Sequence, residues 1–308
     1  MLTLRSLWRA TGKPWLRSGQ NWMERQRYPD LFGNSLSAEE AGGVIQSAIK
    51  KEQPFCAARM GHVEARILGE ARLRCGRWSR ATHAEAHANA GIFPVTDAGL
   101  LHFADVYGEA LESVDLLGFW QTDYQAALVA SVQHQPLLCS LASLESFRQS
   151  DPWSKALFGR RVLVVHPFVQ SIEDQYKRCG GNVFADRRVL PLFDLQVLRP
   201  PCTHAPSTEG YESWLDALES LQSRVLDLSF DVALIGCGAY GLPLAAAVKR
   251  SGRQAIHLGG ALQLLFGIRG RRWDDDPAIC SMINDHWVRP RAEETPASAL
   301  SIERGCYW

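Results

Sequence analysis

The segment Asp231-Val-Ala-Leu-Ile-Gly-Cys-Gly-Ala-Tyr-Gly-Leu-Pro-Leu244 constrains the fold of this chain more than any other. An apolar run of strand length ends at Ile235, three glycines follow in a G-x-G-x-x-G spacing, and a helical stretch then continues to Arg250. A strand fed through a glycine turn into a helix is the repeating unit of a parallel sheet, because parallel neighbours need a crossover between them. The next apolar run, Gln254-Ala-Ile-His257, follows that helix at once.

The same unit recurs upstream. Ser37-Ala-Glu-Glu40 has capping-box spacing and opens a helix ending near Lys51. Pro54 to Ala58 reads as a buried strand, followed by Arg59-Met-Gly-His-Val-Glu64 and a helix to about Arg72. A helix from Thr96 or Asp97 to Ser113 precedes a strand over Val114 to Trp120. Arg161-Val-Leu-Val-Val-His166 is the continuous apolar run expected of a strand covered on both faces, and it leads into a helix carrying Ser171, Gln175 and Tyr176. A helix from about Tyr211 to Leu226 completes the pattern. The expectation is an α/β fold: a Rossmann-like, mostly parallel sheet with helices on both faces, in which 161–166, 231–236 and 254–257 are neighbouring strands. Along the chain this divides into an arm over residues 1–35, a first α/β half over 36–205 and a second over 206–308, with the turn-rich stretch near Thr203 to Gly210 between the halves.

Composition excludes several functions. Lys plus Arg (33) equals Asp plus Glu (33), so no net field draws the chain to nucleic acid. The eight cysteines include no C-x-x-C pair, which argues against a zinc ribbon and suits reduced thiols. Without a signal-like N-terminal segment or a membrane-length apolar run, the chain is expected to be cytoplasmic, with peripheral membrane association left open.

Ligands of parallel sheets bind beyond the carboxyl ends of the strands, which selects the loops starting at Arg59, His166, Gly236 and His257. Gly236, Gly238 and Gly241 would let backbone approach a pyrophosphate at a helix N-terminus; the plainer reading is a turn that only packs a helix close to a strand. A dinucleotide site also wants an acid at the end of the next strand to hold the ribose, and His257 stands there instead. Arg59 can grip a phosphate with two N–H groups, while His62 and Glu64 are potential ligands for a divalent metal. The plainer alternative pairs Arg59 with Glu64 beneath a helix. His166 and Tyr240 are candidate sugar or phosphate contacts.

Arg59, Gly61, His62 and Glu64, together with His257-Leu-Gly-Gly260 late in the chain, resemble the GT-D class of glycosyltransferases. His166-Pro-Phe, Gly236 to Leu244 and His257 to Gly267 also resemble bacterial proteins associated with surface-polysaccharide synthesis. This likeness spans roughly residues 36 to 290. It implies a transferase that moves a sugar from a nucleotide-diphosphate donor to a glycan acceptor. Arg59, Glu64 and His257 would be catalytic. Gly61, His166, Gly236, Gly238, Tyr240, Gly241, Gly259, Gly260 and Gln263 would bind the nucleotide sugar, and Mn²⁺ or Mg²⁺ would sit on His62 and Glu64. In that family two acids occupy the places of His62 and His257, and imidazole suits softer ions than a carboxylate does. The alternatives are an NAD-type oxidoreductase and a non-catalytic component of a glycan-assembly complex.

Overall fold

The computed structural model describes residues 26–120, 124–296 and 299–308. The greater part of the expected arm therefore lies outside the described residues. Helix α1 (Pro29–Gly33) and the two-residue strand β1 (Ser35–Leu36) open the described chain. There follow α2 (Ala38–Lys51), β2 (Phe55–Arg59), α3 (His62–Leu73), α4 (Arg80–Ala90), α5 (Asp97–Leu111), β3 (Leu116–Phe119), α6 (Gln125–Ser131) and β4 (Leu137–Ser140). Then come β5 (Arg161–Val165), α7 (Val169–Cys179), β6 (Asp194–Leu198), α8 (Trp214–Leu226), β7 (Val232–Ile235), α9 (Gly241–Arg250), β8 (Gln254–His257) and two short helices, α10 (Leu262–Leu265) and α11 (Pro277–Cys280).

The eight strands among the described residues form one parallel sheet in the order β1-β4-β3-β2-β8-β7-β5-β6. The three expected neighbours stand side by side, Val165 opposite Ile235 and Ile235 opposite His257. Strand β2 pairs with β8, so the sheet runs without a break from the first half of the chain into the second.

Each central strand is covered on both faces, which is why its residues are apolar without alternation. Cys56, Ala58, Leu163, Val165, Ala233 and Ile235 face one core with α3, α5, α8 and α9. Phe55, Ala57, Val162, Val164, Val232 and Leu234 face the other, with α2 and α7. The capping box that starts α2 is present in both directions: Ser37 N–H donates to Glu40 Oε2 at 2.9 Å, and Glu40 N–H donates to Ser37 Oγ at 3.3 Å. Such a cap contributes about 1 kcal/mol.

The connections leave the sheet in alternating directions. The segments after β2 and β7 enter α3 and α9 on one face, whereas those after β5 and β8 enter α7 and α10 on the other. Adjacent strands β2 and β8, and likewise β7 and β5, thus send their continuations apart. A crevice opens at their carboxyl ends, as it does at a topological switch point. Among the described residues, no helix is long and apolar enough to cross a membrane.

Candidate functional site

That crevice holds a cavity of about 360 Å³ lined from all four loops. From β2 and its loop come Arg59, Gly61, His62 and Glu64; from β5, His166; from β7, Gly236, Gly238 and Tyr240; from β8, His257, Gly259, Gly260 and Gln263.

Arg59 ends β2 and reaches toward β8. Its Nη1 donates to Leu258 O at 3.3 Å, and its side chain lies so close over Gly259 that a Cβ there would be 3.0 Å from Arg59 Cδ. Gly259 also has φ +58, a left-handed angle that glycine adopts without penalty. Among the described residues Arg59 forms no ion pair, so the pairing with Glu64 is not made. Glu64 and Glu145 are near enough to feel its charge, but a half-buried guanidinium that makes no ion pair at a cavity wall can turn its donors to an anion.

Glu64 is buried instead in the first turn of α3, its carboxylate folded back over the N-cap residue. A Cβ on Gly61 would sit 2.1 Å from Glu64 Oε2, so a side chain there would push the carboxylate out of this position. Burial pushes the carboxyl's pKa up; its own backbone N–H, His62 and Arg59 pull the other way, and Glu303 adds to the rise. His62 is turned to Glu85, with Nε2 at 3.5 Å from Oε2, and Glu85 is also held by Arg66 at 2.6 Å. Among the described residues no group of three His, Cys, Asp or Glu side chains could hold a metal ion. His62 and Glu64 by themselves would leave most of a divalent ion's coordination to water and to the oxygens of a bound diphosphate.

Two imidazoles flank Gly236 at the end of β7. His166 Nδ1 accepts from Phe168 N–H at 3.0 Å, and its Cδ2 edge would come within 2.6 Å of a Cβ on Gly236. His257 Nδ1 lies 3.1 Å from Ile235 O. Burial lowers the pKa of each ring to about 3, aided at His257 by the charge of Arg59. Both are neutral over the physiological range.

The three glycines of the β7 turn differ in what they do. Gly238 has φ +57 and nothing within 4 Å of a built Cβ, so that point faces open cavity. Gly236 gives way to His166. Gly241 is not brought to the cavity: a Cβ there would lie 2.0 Å from His257 Cε1, so this glycine seats the imidazole rather than a phosphate. Tyr240 lines the cavity, but its hydroxyl is committed. Thr203 Oγ1 donates to Gly91 O at 2.8 Å, which leaves it to accept from Tyr240 OH at 2.6 Å, and the ring stacks on Trp214 at 5.4 Å. Tyr240 thus spends its hydroxyl proton inside the protein, and what it offers the cavity is its ring and an acceptor lone pair. Gln263 is fully buried and donates to Ile268 O and Tyr307 O, both at 3.1 Å, while its Oε1 has no partner.

Several lining residues carried no signal in the sequence. Pro200, Pro201, Cys202 and His204 close one side, and Arg272 with Ile302, Glu303, Tyr307 and Trp308 closes another. Tyr307 lies over Gly260, where a Cβ would meet its Cε1 at 2.2 Å, and its hydroxyl donates to Glu303 Oε2 at 3.2 Å. Arg272 stacks over the Tyr307 ring at 4.8 Å and pairs with Glu303. Trp120, 38% exposed at the rim, is fixed by an Nε1 bond to Met60 O at 2.8 Å.

No family model, curated protein or solved structure matches this chain. What the cavity can do follows from its own chemistry: a guanidinium in no ion pair among the described residues, a glycine turn open to a ligand and two neutral imidazoles.

Proposed function

We propose that the chain is a glycosyltransferase and that this cavity holds a nucleotide-diphosphate sugar across the carboxyl ends of β2, β8 and β7. The observation that carries the reading is the guanidinium of Arg59, in no ion pair among the described residues and laid over Gly259 at the cavity wall. A diphosphate would pair with it directly. The Gly238 turn, at φ +57 and with nothing within 4 Å of a built Cβ, leaves backbone open to the cavity where the diphosphate would lie.

Glycosyl transfer leaves negative charge on the departing diphosphate as the bond to the anomeric carbon breaks. Arg59 lies where it would stabilise that charge, and a fixed donor in a partly dry cavity is worth more than the same donor in water. Two carboxylates line the cavity among the described residues. Burial holds the pKa of Glu64 up, and Arg272 and Tyr307 hold Glu303 in place.

A hydride-transfer enzyme using NAD would want an acid at the end of β8, where His257 stands. Incubating the purified chain with UDP- and GDP-sugars and measuring release of nucleoside diphosphate tests the proposal. Release from one donor above the uncatalysed rate, abolished by Arg59→Ala, is the expected result. Release that is unchanged in Arg59→Ala contradicts it.

A further inference from the structure

The imidazoles of His166 and His257 are buried, neutral and fixed, and their backbone contacts give them opposite hydrogen-bonding character. Phe168 N–H donates to His166 Nδ1, so that nitrogen carries no proton and the neutral ring must carry it on Nε2. Ile235 O can only accept, so His257 Nδ1 must be the protonated nitrogen and Nε2 keeps its lone pair. His166 is thereby an Nε2–H donor and His257 an Nε2 acceptor. Neither Nε2 has a partner among the described residues, and neither is sealed in the protein as Gln263 Oε1 is. Both rings line the cavity on either side of β7, where residue 236 has no side chain.

We infer that His166 and His257 form a donor–acceptor pair that reads the hydroxyls of the donor's sugar ring, leaving the diphosphate to Arg59 and the Gly238 turn. A phosphate or carboxylate oxygen at neutral pH only accepts. It would suit His166 but bring its lone pairs against that of His257. An ammonium only donates and fails at His166. A hydroxyl does both. His166 stands level with Gly236 on the sheet face that α7 covers, and His257 level with Ile235 on the face that α9 covers, each ring against the end of β7. A pyranose lying across that strand end presents hydroxyls on its two edges to the two rings. Since neither ring is charged, the pair adds selectivity for a neutral polyol without attracting anions, and the low pKa of each ring keeps this so well below neutrality.

The inference rests on the donor-site reading, and one experiment separates the two. Calorimetric titrations of the purified chain use UDP, UDP-glucose, UDP-galactose, GDP, GDP-mannose and NAD⁺, each against wild type, His166→Phe and His257→Phe. The expected result is that each substitution weakens the bound nucleotide sugar about three- to tenfold, the range for one neutral hydrogen bond, and changes the parent nucleoside diphosphate less than twofold. Equal losses for sugar and diphosphate, or no loss for either, overturn the inference while the donor site stands. If every nucleotide sugar fails to bind wild type, the donor-site reading falls and the pair's assignment falls with it. Should a phenylalanine variant not fold, wild type is titrated with the same nucleotide sugar fluorinated in turn at each ring hydroxyl. Fluorine cannot donate, so loss of affinity at one position is expected, and equal affinity for all the fluorinated ligands overturns the pairing with His257.

Discussion

Arg59 and Gly259 are brought together by the pairing of β2 with β8, and the arginine side chain occupies the space a Cβ at 259 would need, 3.0 Å from Cδ. Residue 259 is glycine both for this close approach and for its φ of +58. Gly259→Ala is expected to cost about 1–2 kcal/mol of stability from the left-handed angle. It also pushes Arg59 off its bond to Leu258 O, so affinity for a nucleoside diphosphate falls more than stability accounts for. Paired melting and titration curves check this; loss of stability with intact affinity would separate Gly259 from the site.

Arg59→Lys keeps the charge and loses the planar, two-pronged donor. Because Arg59 makes no ion pair among the described residues, the melting temperature should hardly move. Affinity for the diphosphate group should drop by about 2 kcal/mol, about thirtyfold, as for a lost charged hydrogen bond. A melting temperature that falls along with affinity would mean that the arginine is structural.

Gly238 and Gly241 should respond differently although they share one motif. At Gly238 a valine projects into open space and into the proposed phosphate position, so Gly238→Val abolishes nucleotide binding for a stability cost of about 1–2 kcal/mol from φ +57. At Gly241 even alanine meets the His257 ring, at 2.0 Å, so Gly241→Ala lowers the melting temperature first. Finding the same ranking of stability and binding at both positions would contradict this division of roles.

The buried histidines make stability depend on acid. For each, the folded pKa is about 3 and the unfolded value 6.5, so between those limits the unfolded chain binds more protons. Their contribution is complete above pH 6.5 and declines as pH falls toward 3, by about 1.4 kcal/mol per pH unit per ring. At pH 5 each has cost about 2 kcal/mol. Melting temperatures at pH 7.5 and pH 5 should therefore fall further for wild type than for His166→Gln. Parallel falls would show that His166 titrates normally in the folded chain.

The central strands Val162 to Val165 and Val232 to Ile235 were legible because burial on both faces writes itself as an unbroken apolar run, and Gln254 to His257, with a polar residue at each end, was legible from its place after the α9 helix. Edge and rim strands were not. Strand β6, Asp194-Leu-Gln-Val-Leu198, is only half buried and carries polar residues, β1 has two residues, and Leu137 and Ser140 of β4 are exposed. At the site, strand ends and glycines pointed to Arg59, His166, Gly238 and His257, since those positions follow from sheet geometry. Arg272, Glu303 and Tyr307 could not be foreseen. They reach the cavity through long-range packing, Tyr307 on Gly260 and Arg272 on Tyr307, and no periodic pattern records such contacts.

The most direct test of the account is calorimetric titration of wild type and Arg59→Lys with nucleoside diphosphates, nucleotide sugars and NAD⁺. The account predicts that wild type binds a nucleotide sugar more tightly than its parent diphosphate, that Arg59→Lys weakens both by about thirtyfold, and that NAD⁺ does not bind. Binding of NAD⁺ without any nucleotide sugar, or a nucleotide-sugar affinity that the Arg59 substitution leaves unchanged, would contradict it.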